Sequence, residues 1–250
     1  MIRFDNVTKV LGGRKVLSNL TFEIRNGEVF TIVGSSGSGK SVMLKHIVRL
    51  LTPTSGAVWV DDTQVSAADG RALEKVRDRF GYLFQGGALL GWMSVYENVA
   101  LPLREKTRLS AAAIDKRVME VLKMVGLEND GDKLPNEISG GMQKRAGLAR
   151  AIVCQPEIVL YDEPTSGLDP VTSRRIDALI TDLRDRLGIT SVVVTHDMHS
   201  ALAISDRIAM LFGGRVVSVA TPSGFLASPE AAVQEFLAAQ FITRKPPWEQ

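Results

Sequence analysis

Two stretches of this chain carry residues whose types and spacing suit phosphate chemistry. Gly34-Ser35-Ser36-Gly37-Ser38-Gly39-Lys40-Ser41 follows the apolar run 29–33 and fits G-x4-G-K-[ST]. Glycines there let the backbone turn its N–H groups inward around phosphate oxygens. Lys40 reaches the terminal phosphates, and the Ser41 hydroxyl suits Mg²⁺. The second stretch, residues 138–170, opens a helix with Ser139-Gly140-Gly141-Met142-Gln143 and then runs Ile158-Val159-Leu160-Tyr161-Asp162-Glu163. An apolar strand delivering two adjacent carboxylates is what hydrolysis of a Mg-nucleotide requires. Asp162 would hold the metal through water, and Glu163 would orient or deprotonate the attacking water. Ser139 to Gly141 make a further anion-seeking helix start. One nucleotide on one domain does not readily occupy two such starts, which points to a dimer.

Each reading has a plainer competitor. A Gly/Ser-rich turn matches the first pattern by accident in roughly one chain in a hundred of this length, and the strand before it and helix after it lower that further. Paired acids after a strand are often a solvated loop, a reading the phosphate cradle displaces. His196 ends the run 190–195, at the strand edge where open α/β sheets bind ligands, so it can touch the terminal phosphate. A metal site built from His196-Asp197-Met198-His199 matches no zinc spacing. His46 reads as structural. Cys154, the only cysteine, reads as a small buried hydrophobe, and no internal disulfide is possible, as in a reducing compartment.

The elements that must position these residues follow from the apolar patterning. Runs at 20–24, 29–33, 158–161, 191–195 and 207–211 are short and several are continuously apolar, as in strands of a mostly parallel sheet buried on both faces. Residues 41–51 and 172–187 read as covering helices. The middle is helical, with a one-sided stripe of Ile114, Val118, Val121, Leu122 and Val125, and is expected to form an inserted subdomain at about 87–153. Thr221-Pro222-Ser223-Gly224 breaks the sheet, and a helix is expected over 229–239. The chain of 250 residues is 45% hydrophobic with a net charge of +2, enough for a large core and too little charge for a nucleic-acid surface. It shows neither a leader pattern nor an apolar run of membrane-spanning length.

In this order the segments resemble the ATPase subunit of ABC transporters over nearly the whole chain. Residues 34–41 match the Walker A loop, Gln85 the Q-loop glutamine, Ser139 to Gln143 the signature, Asp162 and Glu163 the Walker B pair, Ser166-Gly167-Leu168-Asp169 the D-loop, and His196 the switch histidine. The resemblance implies an α/β P-loop NTPase with a RecA-like, mostly parallel core, an antiparallel β edge and an inserted helical subdomain. The domain is expected over 2–238, with a tail at 239–250. It further implies ATP and Mg²⁺ as ligands, with Ser41, Gln85 and Asp162 at the metal and Glu163, His196 and Gln85 in catalysis. Two copies would sandwich two ATP molecules head to tail, so that Ser139, Gly140, Gly141 and Asp169 serve the neighbour's nucleotide. Two departures stand out. Ile138 and Met142 replace the usual leucine and glutamine of LSGGQ, and Leu11 stands where an aromatic usually stacks on adenine. Leu11 and Val16 then offer the base apolar contact alone, and preference for ATP over GTP should be less strict.

Within that family, residues 83–90 and 97–107 and the methionine at 142 look like the Mla- and Mce-associated lipid-transport ATPases. That likeness implies phospholipid or lipid transport between inner and outer membranes, on the cytoplasmic face of the inner membrane. The implied partners are a transmembrane permease, an MCE-domain lipid-binding protein and a small STAS-domain companion, with no nucleic acid. Alternatives are the ATPase of another ABC importer or exporter, a soluble ABC ATPase acting in DNA repair or translation, and a non-hydrolysing switch. No long heptad insert or basic patch supports the soluble class. Ala88-Leu89-Leu90-Gly91-Trp92-Met93 reads either as packing between lobes or as a groove for the permease. Val233, Phe236, Leu237 and Phe241 form an apolar stripe that usually packs on its own domain, and Trp248 reads as a contact to a second subunit or companion.

Overall fold

The computed structural model describes residues 1–240. Phe241, Trp248 and the tail expected beyond residue 240 lie outside the described residues. The chain forms two compact units, one of residues 1–77 with those from 192 onward, the other of residues 78–191.

In the first unit, alternating burial along β1 (Ile2–Leu11) and β2 (Arg14–Ile24) gives each strand one apolar face. They pair antiparallel with Phe4 opposite Phe22. With β4 (Ser55–Val60) and β5 (Thr63–Gln64) they make a sheet of order β2-β1-β4-β5. Phe4 stacks on Phe22 at 4.7 Å between centroids, and Phe22 on Phe30 at 5.8 Å. Burying a side chain of that size contributes about 1.5–3 kcal/mol, so this aromatic stack is a main tie within the unit. β3 (Val29–Val33) is buried at every position, as its unbroken apolar sequence demands. It runs parallel to β9 (Arg207–Phe212), which turns back antiparallel into β10 (Arg215–Ala220). Around these strands lie α1 (Lys40–Ile47), α7 (Met198–Ile204), α8 (Pro222–Leu226) and α9 (Ala231–Ala239). Val233 and Leu237 of α9 share a buried cluster with Met198, Met210 and Phe225, and Phe236 packs against it, so these three residues of the apolar stripe pack within their own unit.

In the second unit β6 (Phe80–Leu83) runs parallel to β7 (Ile158–Asp162), with Leu83 opposite Tyr161. Four longer helices follow from local signals. Ser94 and Glu97 form a capping box at α3 (Val95–Lys106), Ser110 caps α4 (Ala111–Met124), and Ser139 caps α5 (Gly140–Ile152). Asp169 caps α6 (Pro170–Leu187), which starts on proline and stops at Gly188 in the left-handed region. Ile114, Val118, Val121 and Leu122 are buried, as their spacing predicts. β8 (Thr190–Thr195) carries the chain back into the first unit.

Two helix boundaries are corrected. The helix expected over 41–51 ends at Ile47: Arg49 takes φ 51°, and the Leu50 and Leu51 N–H groups both turn back to the Lys45 carbonyl. Residues 221–224 do break the sheet, since β10 ends at Ala220, and they also start a helix, with Pro222 in the first turn and Thr221 accepting from the Gly224 N–H. The last helix begins at Ala231 with Glu230 at its cap, leaving Pro229 ahead of it.

Candidate functional site

β3 delivers residues 34–41 in the first unit. Gly34 takes φ 157°, and a Cβ there would collide with the Leu211 carbonyl oxygen, so glycine is required. Gly39 stands at the cap of α1 and makes no side-chain cap bond, and a helix start of this kind favours an anion. Lys40 is buried, and its ammonium donates to the Gly34 carbonyl at 2.8 Å and the Ser35 carbonyl at 3.1 Å. The Ser38 hydroxyl is buried with no hydrogen-bond partner. A buried orphan hydroxyl, a helix start without a side-chain cap and a held ammonium fit a Mg-nucleotide's phosphates. Ser35, Ser36, Gly37 and Ser38 also line a cleft of about 430 Å³ with Arg14, Lys15, Val16 and Phe212. Val16 therefore shares a cavity with the loop, whereas Leu11 ends β1 outside this lining and is 40% exposed. Arg14, Lys15 and Phe212 escape sequence reading because a two-residue turn and a distant hairpin bring them there.

His196 follows β8 and is exposed. Its carbonyl accepts from the Gln240 side chain at 2.5 Å, and the same amide's oxygen accepts from the Met198 N–H at 3.0 Å. Among the described residues, no group of three or more His, Cys, Asp or Glu side chains is arranged to hold a metal. His46 is buried with Nδ1 at 2.6 Å from the Val42 carbonyl oxygen, and burial lowers its pKa. Cys154 is half-buried, not fully, and burial raises its pKa.

In the second unit, β6 and β7 end side by side and deliver Gln85, Asp162 and Glu163 to one edge. Gln85 is exposed, while both carboxylate residues are buried. Burial and the adjacent Asp162 carboxylate hold the Tyr82 phenol far above its ordinary pKa, so it stays protonated. Glu163 takes φ 50°, a conformation rare outside glycine and typical of strained functional positions. Lys144 of α5 explains how that backbone is held: its ammonium donates to the Glu163 carbonyl at 2.9 Å and also to the Gln85 carbonyl. Sequence reading missed Lys144, although a lysine among Ala146, Gly147, Leu148 and Ala149 on a buried helix was a signal. Ser139 and Gly140 are exposed at the start of α5; Gly141 is buried, and a Cβ there would press on the Thr172 methyl. The Asp169 carboxylate accepts from the Val171 and Thr172 N–H groups at 2.9 and 3.0 Å, and bonding to Thr172 lowers its pKa. Asn98, also missed, is fully buried. It accepts from the Leu90 N–H and donates to the Leu90, Met93 and Ser94 carbonyls, pinning the segment that displays Trp92 at 77% exposure.

A family model described as "ABC transporter" matches residues 17–166. The chain belongs to the ABC transporter family. This ABC cassette is 43% identical over 241 residues to a "Probable ribonucleotide transport ATP-binding protein mkl" of Mycobacterium leprae, covering 96% of the cassette and 70% of that protein. It is 41% identical over 240 residues to a "Methionine import ATP-binding protein MetN" of Carboxydothermus hydrogenoformans, covering 95% and 71%. To the "Intermembrane phospholipid transport system ATP-binding protein MlaF" of Haemophilus influenzae it is 37% identical over 240 residues, covering 96% and 91%. Its fold matches the ATP-binding cassette MJ0796, solved as a dimer in a post-hydrolysis state with ADP and Pi, at a TM-score of 0.82 and 39% identity over 89% of this chain and 99% of that one. The cassette is thus an α/β P-loop ATPase that binds ATP with Mg²⁺ and hydrolyses it. Cassettes of this family dimerise and pair with transmembrane permeases. Among the described residues no helix is long and apolar enough to cross a membrane.

Proposed function

We propose that the cassette works as a head-to-tail pair on the cytoplasmic face of an inner membrane, energising a permease that moves phospholipid or related lipid between membranes. In this reading Lys40 and the loop N–H groups of residues 34–39 hold the phosphates, with Ser41, Gln85 and Asp162 around Mg²⁺. Bound Mg²⁺ neutralises charge that builds on the phosphate oxygens. Glu163 accepts a proton from the attacking water, and His196 steadies the terminal phosphate. The exposed Ser139 and Gly140, with Gly141, serve the nucleotide of the second copy.

The lipid assignment rests on one observation: likeness to the phospholipid-transport protein MlaF along 91% of that protein, with Met142 in the signature as the subgroup's own variant. Trp92 supports permease docking, because an exposed indole held beside the Gln85 segment suits a partner helix. A second reading has specific support in the likeness to methionine-import and ribonucleotide-transport proteins. Affinity capture from native membranes, with partners and lipids identified by mass spectrometry, separates the two. Recovery of an MCE-domain protein and bound lipid, with or without a STAS-domain companion, is the expected result. An amino-acid-binding protein in their place overturns the lipid assignment and leaves the ATPase intact.

A further inference from the structure

The ammonium of Lys144 joins three segments that the hydrolysis reading treats separately. It is 6% exposed on α5 and donates to the Gln85 carbonyl after β6, to the Glu163 carbonyl after β7 at 2.9 Å, and to the Ser166 hydroxyl at 3.4 Å. Ser166 in turn donates its hydroxyl to the Glu163 carbonyl at 3.0 Å and its N–H to the same oxygen at 3.2 Å. Three donors thus converge on one carbonyl, and that carbonyl belongs to the residue at φ 50°. A left-handed glutamate persists only where its surroundings over-determine it, and these donors do so. Two turns further along α5, Arg150 donates to the Gly87 carbonyl at 2.8 Å and the Ala88 carbonyl at 2.7 Å. One helix therefore grips the Gln85 segment at two points and the Glu163 turn at one.

We propose that Lys144 is a positioning residue that ties the Gln85 segment to the Glu163 backbone, so that a displacement of either is transmitted to the other. A buried cation with three oxygen acceptors makes this tie stiffer than apolar packing, because charge-assisted hydrogen bonds are directional. The proposal rests on the reading of Gln85 and Glu163 as site residues. Its chemistry is confined to alignment: Lys144 touches backbone carbonyls and a hydroxyl and takes no part in proton transfer.

The test compares Lys144→Met, which keeps length and removes the donors, with Lys144→Gln, which keeps two donors on a shorter arm. Steady-state hydrolysis should show kcat lowered about 10- to 100-fold in Lys144→Met with KM within about threefold, as misalignment of a reacting group does. Lys144→Gln should recover part of that loss and stay measurably below the parent, because its shorter arm cannot reach all three acceptors. Equilibrium ATP binding should stay within about threefold of the parent in both. Hydrogen exchange should speed up together in residues 84–88 and 163–168 of Lys144→Met. Wild-type kcat in Lys144→Met, or faster exchange in only one of the two segments, overturns the tie. If Lys144→Met does not fold, Lys144→Gln decides: lowered kcat at unchanged KM with exchange raised in both segments supports the tie, and parent values in both overturn it. Glu163→Gln serves as the reference. If it still hydrolyses ATP, the reading of Glu163 fails; if it is inert while the Lys144 variants behave as the parent, the failure is that of Lys144 alone.

Discussion

Glu163 combines burial, a left-handed backbone and a position one residue past a buried strand, each set by different neighbours. Its acidity was legible in the sequence, and its conformation was not, because the carbonyl bonds that hold it come from residues 166 and 144. Glu163→Gln keeps the shape and removes the proposed base, so phosphate release should fall about 100-fold or more with ATP binding retained. A wild-type rate in a phosphate-release assay would exclude Glu163 as the base. Leu11 is the other informative residue. It is exposed, and in the proposed reading it stands where the family places an aromatic, so the base would gain no stacking there. Stacking contributes about 0.5–1.5 kcal/mol, and Leu11→Tyr should tighten ATP binding by about two- to tenfold in a titration, with a smaller gain for tripolyphosphate, which has no base.

α3 and α5 show how helices aim functional residues. The capping box of Ser94 and Glu97 sets where α3 begins, and that start places Asn98 under the 90–94 turn. Asn98→Ala leaves buried backbone groups of Leu90 and Met93 unpaired, which costs about 1–3 kcal/mol in stability. Thermal unfolding should show that loss, while ATP binding changes little. Trp92→Asp should fold normally, since the indole is exposed, and should lose co-purification with the permease. Retained co-purification would remove Trp92 from the docking surface. In α5, the signature segment and Lys144 lie on the same helix, so one element both presents Ser139 and Gly140 outward and holds Glu163 from within. The Ser139-Gly140-Gly141 start was enough to place the helix from sequence. Which carbonyls its lysine reaches depends on β6 and β7, far away in sequence.

At the scale of the whole molecule, the family fixes an ATP-driven cassette, and the head-to-tail pairing makes a distinct physical claim. Ser139 and Gly140 are exposed at a helix start where the Ser139 hydroxyl accepts from the Met142 N–H and its carbonyl from the Gln143 N–H. If they serve a second copy, ATP must cross-link two chains before hydrolysis releases them. Glu163→Gln with ATP and Mg²⁺ should therefore double in mass by light scattering and return to monomer when Mg²⁺ is chelated. A monomer at saturating ATP would argue against the shared site. Cargo belongs to this scale as well: relatives named for phospholipid, methionine and ribonucleotide transport all resemble this cassette along most of its length, so the shared ATP chemistry does not by itself select a cargo.

By itself the sequence determined what depends on neighbouring residues: the phosphate loop, the acid pair after a buried strand, the helix start at Ser139, and through their order the family. Local backbone geometry needs only a few adjacent side chains, so short motifs record it. Tertiary structure alone decided the left-handed turn at Glu163, the burial of Lys144 and Asn98, and the cleft that joins Phe212 to the loop. Those depend on contacts between strands and helices tens of residues apart, where burial makes each unpaired polar group costly and so dictates which partner it takes.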